Sequence, residues 1–153
     1  MGPYAHRTAR PDDYDRMIAV VDEWWGRPIA GNLSRLFLDH FHATSTVVEQ
    51  ADELVAFLVG FVSPSQPHLA YIHFVGVHPH HRRVGLANEL YRGFFRTASA
   101  AGCTEVHAVT GSVNASSIAF HRRMGFTASE PIEGYDGPGT SLVTFTRPVS
   151  PAD

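Results

Sequence analysis

The sequence predicts a single mixed α/β domain, because segments with the period of a strand alternate with segments with the period of a helix. Three observations support this: a strand hairpin in the first half, a helical period that returns after residue 83, and glycine or proline at most segment ends. The predicted order is β-α-α-β-β-β-α-β-α-β-β, with helices flanking a mixed central sheet. We expect the domain to span residues 4–149 and to leave a loose tail at 150–153.

Two helices are predicted between the first strand, at 4–9, and the hairpin. Apolar residues recur at helical spacing after Pro11 and Asp12, and Gly26 ends this helix. Asn32 has the side-chain chemistry of an N-cap. We therefore expect the second helix to begin at Asn32.

The central strands are predicted at 46–50, 54–62 and 70–77, and a turn at 51–53 joins the first two. Successive side chains of a strand point to opposite faces. In the third of these strands we therefore expect one face to carry Tyr71, His73, Val75 and Val77.

The second half of the chain continues the alternation. A helix is expected at 83–102, where Gly102 forms a left-handed cap, followed by a strand at 104–109. A short helix at 114–124, which Gly125 ends, comes next. The last two strands are expected from residue 126 onward and at 142–147.

Composition excludes several classes of function. The formal net charge of −3 argues against a nucleic-acid partner, and no apolar stretch approaches the roughly 20 residues of a membrane span. The N-terminus shows no secretory signal, and the lone Cys103 cannot form a disulfide framework. We therefore expect a cytoplasmic protein in which Cys103 is a small buried residue rather than a nucleophile.

A candidate anion site lies where a strand passes through Pro79 and a basic turn into a helix. Free N–H groups and the dipole at a helix N-terminus attract phosphate, and the small residues Gly85 and Ala87 allow a close approach. Arg82 and Arg83 add positive charge. The alternative interpretation is an ordinary basic helix start.

A second segment strengthens the first interpretation. The sequence Asn-Ala-Ser-Ser-Ile-Ala-Phe-His-Arg-Arg-Met-Gly-Phe at 114–126 follows the R-x-x-G-x-A turn at 82–87 by about 30 residues. Together they resemble the coenzyme-binding motifs of the GNAT superfamily of N-acetyltransferases, whose element order the chain also resembles over residues 4–149. The resemblance implies an enzyme that uses acetyl-CoA as acyl donor, without a metal.

The resemblance also implies which residues bind the coenzyme. Asn114 would contact its pantetheine side and also cap the helix. A bulge at Gly76 would open a slot for the thioester, although a strand glycine can equally serve packing. The residues expected to bind the pantetheine arm or the pyrophosphate are Val75, Gly76, Val77, Arg82, Arg83, Val84, Gly85, Leu86 and Ala87.

Two histidines are candidate catalytic residues by the same resemblance. His73 stands where many members carry a carboxylate and where arylalkylamine acetyltransferases carry a histidine that acts in amine deprotonation. The alternative for His73 is a buried structural histidine. His121 replaces the tyrosine that commonly acts as general acid, and it would either protonate the thiolate or only contact the sulfur.

The acceptor side is expected at two places. The resemblance places Trp24 and Trp25 beside one wall, and helical periodicity allows at most one of them to be a simple core residue. Tyr135 and Asp136 lie in a loop that forms a second wall, where the carboxylate could attract a cationic amine, although the loop also has ordinary turn chemistry.

These observations predict transfer of the acetyl group of acetyl-CoA directly to a primary amine of a small molecule or peptide, with a homodimer as a possible assembly. One alternative is a non-catalytic acyl-CoA-binding regulatory module. Another is a metal-binding protein, suggested by His78, His80 and His81 among the ten histidines. No carboxylate or thiolate partner accompanies these three, so we expect them to be solvated turn residues.

Overall fold

The structure, a computed structural model, describes residues 2–153. Its strands are β1 (Ala5–Thr8), β2 (Thr46–Gln50), β3 (Glu53–Val62), β4 (Leu69–Val77), β5 (Glu105–Gly111), β6 (Thr127–Ala128), β7 (Ile132–Glu133) and β8 (Ser141–Pro148). Its α-helices are α1 (Asp13–Ile18), α2 (Val21–Trp25), α3 (Leu36–Phe41), α4 (Leu86–Ala100) and α5 (Ala115–Arg123). The predicted mixed α/β class is confirmed.

The chain divides into two compact units. The first unit runs up to Phe61 and includes Ile72–Thr97. The second consists of Val62–Tyr71 and Ala98–Asp153. Strand β4 contributes its first three residues to the second unit and its remaining residues to the first.

The first unit has the strand order β1-β2-β3-β4. Strands β1 and β2 are antiparallel, with Ala5 opposite Glu49 and Thr8 opposite Thr46. The amide of His78 donates to the carbonyl of Val55 at 2.8 Å, just beyond the end of β4. The core between this sheet and helices α1–α3 contains Met17, Val21, Trp24, Leu38, Val47, Phe57, Val59 and Phe74.

The helix predicted between Pro11 and Gly26 is instead two short helices. Val20 has φ −120° and ψ −14°, which is outside the helical region and separates α1 from α2. The break leaves Met17 and Val21 completely buried. Gly26 ends α2 as predicted, with φ 73°.

The prediction that Asn32 begins a helix was wrong. Asn32 ends a 3₁₀ turn at Ala30–Asn32, and α3 starts only at Leu36. The start of this turn is held by Asp22 of α2, whose carboxylate accepts from the amides of Ile29 and Ala30, each at 2.8 Å. A local cap signal was therefore outweighed by a longer-range hydrogen bond.

Helix α4 also starts later than predicted. Arg83 and Gly85 have φ values of 66° and 88°, which no right-handed helix accommodates, so the first helical residue is Leu86. The predicted end is correct, since Gly102 has φ 87° and its amide donates to the carbonyl of Ser99.

The second unit contains the parallel pair of the sheet, β4 with β5, in which Tyr71 lies opposite His107. Strands β5 and β8 are antiparallel, and β6 and β7 both pair with β8. The two-residue strand β7 was not predicted, because so short a segment has no readable period. Cys103 is buried, as expected.

The C-terminal segment belongs to the second unit and is bonded within it. The amide of Val149 donates to the carbonyl of Thr104 at 2.9 Å, and the Asp153 carboxylate pairs with Arg147 at 2.9 Å. Among the described helices, none combines the length and the apolar character that crossing a bilayer requires.

Candidate active site

Strand β4 presents two different faces, as its alternation predicted. Ile72, Phe74 and Gly76 are buried, whereas His73 and Val75 are half-buried. Tyr71 and Val77 also belong to the half-buried face. This face carries the histidine that the sequence indicated.

Gly76 is required by packing. A Cβ at this position would lie 2.7 Å from the ring of Phe57, closer than side chains tolerate, and 3.2 Å from the ring of Trp25, which is a tight contact. The structure thus supports the packing interpretation of Gly76, and the bulge stays a prediction.

The turn between β4 and α4 combines an open main chain with a helix N-terminus. Gly85 has φ 88°, and a Cβ added there would meet no atom within 4 Å. The first bond into α4 runs from the amide of Glu89 to the carbonyl of Gly85. The amides of Leu86 and Ala87 precede it and have no acceptor within the helix, which is the arrangement that binds phosphate.

The two arginines of this turn differ. The guanidinium of Arg82 donates to the carbonyl of Val77 at 3.2 Å and to that of Trp24 at 2.6 Å. Arg82 therefore joins the end of β4 to the last turn of α2. The side chains of Arg83 and Val84 are exposed.

The two tryptophans also differ, as periodicity required. Trp24 is a core residue, 6.0 Å from the ring of Phe57. Trp25 is half-buried, and its ring lies 4.8 Å from that of Phe74. Only Trp25 retains accessible ring surface for a ligand.

His73 is held in one tautomer. Its Nε2 lies 2.8 Å from the carbonyl oxygen of Asn32, which only accepts, so Nε2 carries the proton and donates it. The lone pair of the neutral ring is then on Nδ1. Phe37 stacks on the imidazole with the ring centroids 3.8 Å apart. Burial lowers the pKa of His73, and the bond to Asn32 opposes this shift only in part.

His121 is held in the opposite tautomer. Its Nδ1 donates to the carbonyl of Ser117 at 2.8 Å, and its ring stacks in parallel on Phe145 with the centroids 4.0 Å apart. Burial lowers the pKa of His121, with the Ser117 bond opposing it in part. The neutral ring carries no proton on Nε2, so it must first be protonated before that atom can act as an acid.

Asn114 is the N-cap of α5, as predicted. Its Oδ1 accepts from the amide of Ser117 at 3.2 Å, and its Nδ2 donates to the hydroxyl of Thr110 at 3.3 Å. The contact of Asn114 with a coenzyme stays a prediction.

The loop after β7 carries Tyr135 and Asp136. Tyr135 is 47% exposed, and the amide of Asp136 donates to the Thr140 hydroxyl at 3.0 Å. Burial, with smaller electrostatic contributions from Tyr135 and Asp136, raises the pKa of Tyr71 to about 12. Tyr71 is therefore a site candidate that the sequence interpretation missed, although its place on the half-buried face of β4 was a usable signal.

The histidines near Pro79 are partly packed rather than simply solvated. The hydroxyl of Tyr4 lies 2.8 Å from Nδ1 of His81, and His78 meets the edge of Trp24 with the ring centroids 5.4 Å apart. His80 is exposed. Within residues 2–153, no group of three or more potential metal ligands converges.

Comparison with protein families gives one assignment. The family model described as Acetyltransferase (GNAT) family matches residues 6–126, which is well over half of the chain. No curated protein sequence matches.

Solved structures share the fold. A GNAT-family protein from Desulfovibrio desulfuricans is 19% identical, with a TM-score of 0.83 over 97% of this chain and 100% of that one. The ribosomal-protein-S18-alanine N-acetyltransferase of Escherichia coli is 17% identical, with a TM-score of 0.75 over 97% and 95%. Diaminobutyrate acetyltransferase of Paenibacillus lautus, in complex with its substrate and coenzyme A, is 20% identical, with a TM-score of 0.73 over 99% and 96%.

Proposed function

Because the chain belongs to the acetyltransferase (GNAT) family, we propose that it transfers the acetyl group of acetyl-CoA directly to a primary amine of a small molecule or peptide. The observation that carries the proposal is the turn between β4 and α4. Its main chain is open at Gly85, where a side chain would meet no atom, and it leads directly into a helix of 15 residues.

In this proposal the coenzyme is bound mainly by the end of β4 and by the turn between β4 and α4. The main-chain N–H groups within residues 82–87 hold the pyrophosphate, and Val75, Gly76 and Val77 lie along the pantetheine arm. Asn114, the N-cap of α5, contacts the pantetheine side of the coenzyme. The bound coenzyme supplies an activated acetyl thioester.

His73 is the general base. The attacking amine must lose a proton, and Nδ1 of His73 accepts it because Nε2 is already bonded to Asn32. The lowered pKa keeps the ring neutral at physiological pH, and the stacked Phe37 fixes its plane. As the amine nitrogen bonds to the acetyl carbon, the C–S bond breaks and the thiolate leaves.

His121 contacts the sulfur in this proposal, and solvent protonates the thiolate. A ring whose pKa is lowered and whose Nδ1–H is bonded to Ser117 is a weak source of protons at neutral pH. On the acceptor side, Trp25 and Tyr135 supply aromatic surface, and the carboxylate of Asp136 attracts the cationic form of the amine.

A non-catalytic acyl-CoA-binding module is the second candidate, and the same properties of His121 favour it. This module would need the phosphate turn, which is residues 82–87 between β4 and α4, but no base. It predicts tight coenzyme binding without thiol release from acetyl-CoA in the presence of any amine. A panel of primary amines, assayed for thiol release, distinguishes the two candidates.

Acetyl-CoA binding tests the phosphate turn itself. Gly85→Val should weaken binding by at least about tenfold, because a branched side chain blocks approach to the main chain. Gly102→Val is a matched control, since Gly102 has nearly the same φ, 87°, and equally open surroundings. Calorimetry that shows the same affinity loss for both variants, or no binding by the unmodified protein, would contradict the proposal.

A further inference from the structure

The first unit contains a groove of about 890 Å³ that none of the residues assigned above lines. One side is formed by Tyr4 and by His6 and Thr8 of β1, and the other by Arg92 and Arg96 of α4. The groove is thus separate from the phosphate turn and from His73.

Strand β1 has an open edge along this groove. Within residues 2–153, only β2 pairs with it. The amide of Ala9 donates to the carbonyl of Ser45. Because the main-chain groups of successive residues in an antiparallel pair alternate in direction, the N–H and C=O of Arg7 point toward β2, and those of His6 and Thr8 point away from it. The Thr8 carbonyl accepts from the Arg7 side chain at 3.1 Å. Among residues 2–153, no main-chain partner is found for the amides of His6 and Thr8 or for the His6 carbonyl, so these groups can pair with another strand.

The α4 side of the groove is basic, although the chain as a whole carries a net charge of −3. Arg92 and Arg96 are exposed and lie one helical turn apart. Glu89 faces His6, with 3.1 Å between Oε2 and Nε2, and Arg7 is paired with Asp13 and Glu49. Arg92 and Arg96 outnumber the carboxylate of Glu89 on the α4 side of the groove, so the net charge of that side is positive.

Gly93 keeps the groove open. A glycine inside a helix costs about 0.5–1 kcal/mol relative to alanine. A Cβ at Gly93 would meet only the end of Arg96, at 3.8 Å, and its φ is not positive, so neither packing nor backbone conformation requires a glycine here. Its effect is the space it leaves between the two arginines and β1.

We propose that this groove binds an extended acidic peptide segment of a partner protein, which adds a strand to the open edge of β1. Main-chain hydrogen bonds to His6 and Thr8 align the peptide. Alternate side chains of a strand point to the same face, so every second side chain of the bound peptide faces Arg92 or Arg96. In the proposed ligand these side chains are acidic. A second copy of this chain fits less well, because pairing of two β1 edges would bring like charges together.

Fluorescence anisotropy with a labelled peptide of alternating Glu and Val tests this assignment. Saturable binding that weakens with added salt is expected. The double variant Arg92→Glu/Arg96→Glu should lose affinity by at least about tenfold. The matched charge reversal Arg122→Glu/Arg123→Glu on α5 should bind as the unmodified protein does. Equal loss in both double variants would overturn the proposal.

Two further measurements separate strand addition from simple charge attraction. A peptide N-methylated at alternate residues should bind weakly, because it cannot pair with the edge, and Gly93→Leu should block the groove while favouring the helix. Undiminished binding in both would overturn the proposal. Full displacement by millimolar inorganic phosphate would show an anion site instead, and dimers in sedimentation that the peptide dissociates would show a second copy as occupant.

Discussion

His73 and His121 are held in opposite tautomers, and this difference determines what each can do. Nε2 of His73 donates to Asn32, whereas Nδ1 of His121 donates to Ser117. Each neutral ring therefore presents its lone pair from the other nitrogen. A residue type in a sequence does not specify its tautomer, because the partner that selects it is a backbone carbonyl located by the fold.

His121→Phe tests whether His121 is needed for proton transfer. Phenylalanine keeps the stack on Phe145 and removes the imidazole, so kcat should stay within about tenfold of the unmodified enzyme, below the usual scale of acid–base catalysis. The measurement is kcat against pH for both proteins. A fall of about 10²-fold or more, together with loss of the alkaline limb, would instead establish His121 as the general acid.

At the scale of elements, Arg82 links the phosphate turn to helix α2. Its guanidinium donates hydrogen bonds to the carbonyls of Val77 and Trp24. The carbonyl of Trp24 lies in the last turn of α2, where the helix dipole favours a positive charge. Trp25 follows immediately. The position of Trp25, which we propose on the acceptor side, thus depends on an arginine that the motif alone would assign to phosphate.

Arg82→Met should lower the free energy of unfolding by about 1 kcal/mol. It should also raise the KM for the amine by a larger factor than it raises the Kd for acetyl-CoA. Methionine keeps part of the stem but cannot bond either carbonyl. Arg83→Met is the control, since that exposed side chain should change coenzyme affinity modestly and stability little. Thermal unfolding and steady-state kinetics measure both. A pure loss of coenzyme affinity in Arg82→Met would assign its charge to the phosphates.

Element types were predictable where a hydrophobic period was long. The alternation in β4 and the helical period of α4 were both interpreted correctly. The errors arose where a distant group determined the backbone, as when Asp22 held the turn before Asn32, or where a φ value changed sign, as at Arg83. Neither effect appears in local propensity.

The site was predictable in its residue types but not in its contacts. The motifs indicated Gly85 and the family resemblance indicated His73. The structure adds the open space at Gly85 and the bond from His73 to Asn32. Tyr71 was missed because its pKa depends on burial and on a loop distant in sequence. Long-range partners of this kind require the fold.

For the whole molecule, buried titratable groups predict a stability that falls in acid. His73 and His121 have lowered pKa values in the folded protein. Below about pH 6.5 the unfolded chain therefore binds more protons than the folded one, and the free energy of unfolding decreases as the pH is lowered further. Asp13 adds to the loss at lower pH. Burial opposes its ionisation, but the bonds from Arg7 and from the Arg10 amide outweigh burial and lower its pKa.

Denaturant unfolding across pH 5–8 should therefore show a free energy of unfolding that decreases toward acid. His121→Phe should make this dependence on pH less steep, because one buried imidazole is removed. His40→Phe is the control, since His40 is exposed and belongs to no proposed site. An unchanged slope in His121→Phe, or an equal change in both variants, would contradict the account.

The central claim, that His73 takes the proton of the acceptor amine, is tested most directly by kcat/KM for the amine as a function of pH. The unmodified enzyme should lose activity below an apparent pKa at or under the usual histidine range, because the protonated ring cannot accept a proton. His73→Ala should lack this acidic limb and be slower by about 10²–10⁴-fold, while calorimetry shows acetyl-CoA binding close to unchanged. An acidic limb that persists in His73→Ala, at near-normal rates, would contradict the claim.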